Sequence, residues 1–329
     1  MEDASLHEAQ SAKYRGALPS LSGDLYLTDG GIETVLIFEE KQDLPHFAAF
    51  SLLKTPDGVE LLKKYYTPFI ELANEKGVGC ILESATWRAS LDWGKKLGYS
   101  EEELSIANQK SICILRNLRS TMEKGKPLII SGCVGPRGDG YVAGEVMTTP
   151  DAMDYHSAQV QALAAAGADV ITGITMTNSA EAAGLVQACV QHRMPCVISF
   201  TLETDGALPS GETLQAAICA VEAAGPVLYY MLNCAHPSHF AGVLAQAVVA
   251  GEEWVDRIRG LRANASAKSH AELDAMTELD SGDAEELAVQ CRGLKERALP
   301  ALNVLGGCCG TNVRHVAQMH AACAHLFAS

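Results

Sequence analysis

The chain has 329 residues, 48% of them hydrophobic and 20% charged, which suits a folded protein with a sizeable core in one large domain or two ordinary ones. Forty acidic against 25 basic residues give a net charge of −15, which argues against a nucleic-acid footprint or docking on an anionic membrane. No apolar run approaches the roughly 20 residues that span a bilayer, and "MEDASLHEAQSAKYRG" lacks the pattern of a signal peptide; the expected location is cytoplasmic.

In chain order, the sequence repeats a short apolar run, a polar turn and a helix-period segment. The runs are 24–30, 79–85, 127–135, 169–177, 195–203, 227–235, 255–264 and 302–309. Helical patterns follow at 57–76, 100–124, 150–166, 179–192, 211–224, 237–250, 283–298 and 312–326. In the first of these, Val59, Leu62, Tyr66, Phe69, Ile70 and Ala73 fall near one face. Ser100 and Glu103 have the spacing of a capping box. Continuous apolar strands alternating with helices predict a parallel sheet, and eight units predict a closed (β/α)8 TIM barrel as a single domain at 23–329, after an N-terminal extension at 1–22. The rival, an open doubly wound sheet, requires a glycine-rich phosphate loop after its first strand, and "TDGGIET" lacks that spacing.

A barrel places its catalytic groups at the C-terminal ends of its strands. The polar residues there are Asp29, Gly30 and Gly31; Glu83, Ser84 and Thr86; 135–141; Thr175 and Asn178; Glu203; Asn233 and Cys234; Asn264; and Cys308 and Cys309. Of the eleven cysteines, Cys80, Cys113, Cys189, Cys196, Cys219 and Cys323 lie inside apolar runs and read as small buried hydrophobes. Cys234, Cys308 and Cys309 instead meet on the rim. Three thiolates suit Zn²⁺, with glycines 306, 307 and 310 letting the backbone leave strand geometry. For the adjacent pair alone, a vicinal disulfide or two ordinary thiols fit equally well. His236, His239 and His315 are candidate fourth ligands, though each reads more simply as a surface or capping residue. With three ligands one place stays open. The charge of a tris-thiolate site makes the ion a poor generator of hydroxide and a good acceptor of a soft substrate thiol, poised as a nucleophile toward an activated methyl group.

"DGGIET" (29–34), "NCAHP" (233–237) and "GGCCGT" (306–311) resemble, in order and over nearly the whole chain, the signature stretches of the homocysteine S-methyltransferase family. The resemblance implies a (β/α)8 barrel, zinc on Cys234, Cys308 and Cys309, and transfer of a methyl group to homocysteine, giving methionine. It further implies acceptor binding by Asp29 and Gly30 and a pocket lined by Ser84 and Thr86, with Thr175 kept from the family's Glu-Thr pair. Ile174 stands where that glutamate belongs; Glu83 or Glu203 could supply a carboxylate instead, or be solvated rim residues. Arg88 stands where betaine users carry tyrosine. Trp87, Trp93 and Tyr141 could face a sulfonium or quaternary ammonium donor, or simply pack. The expected partners are therefore a small thiol acceptor and a small methyl donor, with oligomerisation left open. The alternatives are the same chemistry on another thiol or selenol, or a non-catalytic barrel that binds zinc or a thiol. The polar stretch 262–283 reads as a rim loop, either a lid or a solvated insertion.

Overall fold

A computed structural model describes residues 12–327. Eight parallel strands close into a barrel in sequence order: β1 Tyr26–Thr28, β2 Gly79–Glu83, β3 Leu128–Val134, β4 Val170–Met176, β5 Cys196–Phe200, β6 Tyr230–Asn233, β7 Ile258–Ala263 and β8 Val304–Gly307. Tyr26 pairs with Gly79 on one side and Val304 on the other, closing the ring. Around it run α1 Pro56–Lys76, α2 Glu101–Met122, α3 Thr149–Ala165, α4 Ser179–Gln191, α5 Leu214–Ala224, α6 Pro237–Ala250, α7 Ala284–Arg297 and α8 Val313–Cys323. Each predicted strand and helix is present, with ends trimmed by a few residues. Shorter helical segments that periodicity did not reveal include Leu91–Lys96 and His270–Asp274. Among the described residues no helix is long and apolar enough to cross a membrane.

All eight main helices begin on a side-chain cap: Thr55, Ser100, Thr148, Asn178, Thr213, His236, Asp283 and Asn312 each accept a backbone N–H in the first turn. The caps end the strand-to-helix loops, so they fix those loops as well as the helices. The Ser100–Glu103 box forms as read from the sequence. Ser100→Ala is expected to cost about 1 kcal/mol of stability in urea unfolding.

The barrel interior changes character along its axis. At the bottom, Tyr26, Ile81, Ile129, Val170, Val197, Tyr229, Met231 and Val304 form an apolar plug. Leu18 joins that plug and Tyr14 packs against it. The Tyr14 amide donates to Asp169 (2.9 Å), which also holds the Arg119 guanidinium in a buried ion pair. Part of the stretch assigned to an N-terminal extension therefore closes the barrel floor. Higher up the interior turns polar: Ser131 bonds Thr172 (2.7 Å), Ser199 donates to Asn233 (2.6 Å), and Arg262 pairs with Asp29 (2.5 Å). The apolar layer seals the base and the polar layer opens to the rim.

Candidate metal centre and active site

Cys234 follows β6 with a left-handed backbone (φ 51°), uncommon for a residue with a Cβ. Its amide donates to the Arg262 carbonyl, and its own carbonyl accepts from Asn264 Nδ2 (3.0 Å) and bonds His270 Nε2 (2.6 Å). These contacts hold an otherwise unfavourable conformation, and the thiol is buried. Thr175, after the Gly173 irregularity in β4, is likewise left-handed (φ 63°), and its hydroxyl points at Cys234 Sγ from 3.9 Å. Asn233 clamps the two strained residues together, accepting from the Thr175 amide (2.9 Å) and donating to its hydroxyl (2.8 Å).

Cys308 and Cys309 leave β8 in a turn tied on both sides. The Cys308 amide donates to Ala263 (2.8 Å), and the Cys309 carbonyl accepts from Ala265 (3.0 Å). The first-loop motif packs on the same turn: Gly31 donates to the Thr311 carbonyl, Gly307 to the Asp29 carbonyl, and Gly310 to Thr34 Oγ1. The first and third signature stretches are thus one structure. Of glycines 306, 307 and 310, only Gly310 has a positive φ (78°). Gly306 and Gly307 keep strand geometry; they are glycines because the Thr28 and Thr311 side chains fill the places their Cβ atoms would take. That corrects the expectation that all three free the backbone.

The sulfurs of Cys234, Cys308 and Cys309 all lie within 4.8 Å of one another, the one such metal-competent group of three among the described residues. Zinc–thiolate bonds of about 2.3 Å set tetrahedral ligand sulfurs roughly 3.8 Å apart, so this donor set fits one zinc ion. Cys234 and Cys308 are joined as a disulfide, and Cys309 takes no part in that bond. Both must be reduced before all three can act as ligands. The histidines are held elsewhere: His236 caps α6, His315 completes the cap of α8, and His239 bonds the Ala267 carbonyl. Cys80, Cys189, Cys196 and Cys323 are buried as expected, whereas Cys113 is half-buried and Cys219 exposed because they sit on outer helix faces.

Two cavities meet at this centre. The deep one, about 70 Å³, is walled by all three cysteines together with Asp29, Glu83, Ser84, Ile174, Thr175 and Arg262. The outer one, about 410 Å³, carries Phe38, Phe47, Trp87 and Tyr141 alongside Glu33, Asp139, Glu278 and Asp280. Cys309, Tyr141, Trp87 and Glu33 border both. The Tyr141 hydroxyl lies 3.2 Å from Cys309 Sγ, and its ring packs at a tilt against His270. Residues of the 262–283 excursion, among them Leu273, Met276 and Leu279, wall the outer cavity.

Asp29, Gly30, Ser84 and Thr175 therefore share the deep cavity. Thr86 does not line it; buried beneath, it donates to the Cys133 carbonyl and bonds Ser84, bracing the wall. Trp93 is likewise outside, covered by Arg88 and Lys96. Arg88 also stacks on Trp87, 3.9 Å from Asp139. Of the two substitute carboxylates, Glu83 lines the cavity, whereas Glu203 bonds His270 and lines neither cavity. Sequence reasoning missed Arg262 and Glu33. Arg262 donates to Asp29 and to the Gly30 carbonyl, while Tyr65 Oη lies 3.3 Å from the other Asp29 oxygen. Burial works against the Arg262 charge, but Asp29 and Glu83 outweigh it and hold the guanidinium protonated. Burial pushes the carboxyls of Glu83 and Glu33 up to about 7, against the opposing pull of nearby arginines. The only sequence signal for Arg262 was its place as the second arginine of β7, next to the end of the strand.

Fold and site together define a (β/α)8-barrel enzyme whose catalytic face carries a cysteine-rich, metal-competent centre. Residues 26–323 match the family model described as homocysteine S-methyltransferase. The chain belongs to that family and is a methyltransferase. A selenocysteine Se-methyltransferase of Brassica oleracea is 26% identical over 68% of this chain and 69% of its own length. Homocysteine S-methyltransferase 4 of Zea mays is 25% identical over 90% of both chains. Among solved structures, the Escherichia coli homocysteine methyltransferase MmuM in its oxidised form superposes with a TM-score of 0.71. That match has 19% identity and covers 93% of this chain and 98% of that one. Its metallated form gives 0.70. At that identity the likeness supports the barrel fold.

Proposed function

We propose that this chain is a zinc-dependent S-methyltransferase that moves a methyl group from a small sulfonium or quaternary ammonium donor to homocysteine, giving methionine. The observation that carries the reading is the convergence of three cysteine sulfurs from the ends of β6 and β8 at the junction of two cavities, in a chain of this family. Cys234, Cys308 and Cys309 would hold the metal. When bound there, zinc supplies Lewis acidity that favours the thiolate form of an acceptor sulfur. The deep cavity takes the acceptor, with Ser84 and Thr175 in its wall and Asp29 and Gly30 fixed by Arg262 and Tyr65. The outer cavity takes the donor: four aromatic side chains and four carboxylic acids suit a cationic methyl donor, and Arg88 is partly neutralised by Asp139. Because the cavities meet at Cys309, sulfur and methyl can be held at attack distance, and that positioning carries much of the rate.

The test is an acceptor-by-donor matrix on reduced, zinc-loaded protein, with methylated products read by mass spectrometry. Methylation of L-homocysteine by at least one sulfonium or quaternary ammonium donor is expected. Intact zinc with no homocysteine product favours the second reading, the same chemistry on another thiol or a selenol, for which Ile174 in the acceptor wall is the specific motive. Phe38→Ala is expected to raise the KM for the cationic donor about 5- to 10-fold, with a smaller change for the acceptor, in steady-state kinetics. Equal changes in both would remove Phe38 from the donor site.

A further inference from the structure

Glu83, in the wall of the deep cavity, has a carboxylate oxygen that the described residues leave without a hydrogen bond. Glu83 ends β2 and is only 5% exposed, yet its Oε2 atom is buried with no hydrogen bond among the described residues. Buried polar atoms are nearly always bonded, and an orphaned one costs about 1–3 kcal/mol, more for an ion. The other charged groups of the wall give it no hydrogen bond. Asp29 and Arg262 neutralise each other, and Arg262 gives its bonds to Asp29 and the Gly30 carbonyl. Ile174 contributes no charge, and Glu203 lies outside the cavity. The Ser131 and Thr172 hydroxyls and the nearby Arg262 favour the ionised form of Glu83 against its burial. What is missing is a cationic donor of hydrogen bonds, placed in the same small cavity as the three thiols.

We infer that Glu83 Oε2 is the seat of the acceptor's ammonium group, so that the acceptor is an amino thiol and the carboxylate absent from position 174 is supplied from β2. The inference rests on the reading of the deep cavity as the acceptor site. An ammonium there gives Glu83 its missing partner, and the orphaned oxygen penalises any acceptor that lacks the amine. Selection against a missing hydrogen-bonding group is the strong kind, because the site's own buried group is left unpaired.

The experiment compares L-homocysteine with 4-mercaptobutyrate, which has the same chain and no amine, using reduced zinc-loaded protein and S-methyl-L-methionine as donor. Wild type is expected to prefer homocysteine about 10- to 100-fold in kcat/KM. Glu83→Gln, which keeps shape and removes charge, is expected to abolish most of that preference by lowering homocysteine turnover, with mercaptobutyrate changed less than about 3-fold. Parallel losses on both thiols, an unchanged preference, or loss of preference in Glu33→Gln in place of Glu83→Gln overturns the inference. If wild type methylates neither thiol, the failure lies with the proposed function or its donor. Calorimetric binding of the two thiols to the zinc protein then decides Glu83 without a donor, and equal affinities overturn it. Zinc content and melting temperature check each variant, and Glu83→Asp carries the same comparison if the glutamine variant does not fold.

Discussion

Replacing Cys308 by serine is expected to empty the metal centre and to stop methyl transfer. A cysteine-rich zinc site is worth about 10–16 kcal/mol at neutral pH. Shared over four coordination places, that is roughly 3–4 kcal/mol per ligand, a loss of about 10²- to 10³-fold in affinity. Serine keeps the size of the side chain but offers a hard oxygen that stays protonated at neutral pH, where zinc prefers soft sulfur. The surrounding turn should survive, since it is held by main-chain bonds to Ala263 and Ala265 and by the Thr311 hydroxyl on the Cys308 carbonyl. Reduced wild type should bind about one zinc per chain, and Cys308→Ser should lose it to a mild chelator while its melting temperature without metal stays close to that of wild type. Cys219→Ser, at an exposed thiol on α5, is the control for cysteine chemistry in general. Full zinc occupancy and full activity in the Cys308 variant would remove the metal centre from the mechanism.

The barrel was legible because its signals are local and repeated. Each strand is a short apolar run, each main helix starts on a polar cap, and eight repeats leave few topologies. The three cysteines were legible for a related reason: once the strands are placed, Cys234, Cys308 and Cys309 must share a rim, whatever the intervening chain does. The remaining features depend on pairings between distant segments that no local pattern encodes. Asp29 and Arg262 lie 233 residues apart in sequence, and either alone reads as a rim charge. Their pairing makes Asp29, expected from the resemblance to bind the acceptor, half of an internal ion pair. Glu33 lies two residues after Gly31, and nothing in the sequence marks it until the outer cavity is seen. Thr86 lies two residues beyond Ser84 on the same loop, yet an inward turn, with the hydroxyl bonded to Cys133, makes it a brace beneath the wall. The bond between Cys234 and Cys308 was equally hidden, since a disulfide was weighed only for the adjacent pair.

Arg262→Met is expected to destabilise the fold more than any surface change in the protein. The side chain is 6% exposed and its partner Asp29 is 1% exposed, so methionine fills most of the volume but leaves a buried carboxylate without its counter-charge. Breaking one side of such a pair costs about 3–5 kcal/mol. Glu83 loses its favourable neighbour as well, so two carboxyl groups in one cavity are left facing each other's charge. Proton uptake by one of them relieves that repulsion, so the loss should be larger at pH 8 than at pH 6 in urea unfolding. The double variant Arg262→Met, Asp29→Asn tests the origin of the effect. Removing both charges together should recover more than half of the lost stability, because the penalty lies in the unpaired ion and not in the absence of the bond. A single-variant loss below about 1 kcal/mol, or a double variant that recovers nothing, would show that the polar layer above the barrel plug is held by packing rather than by this pair.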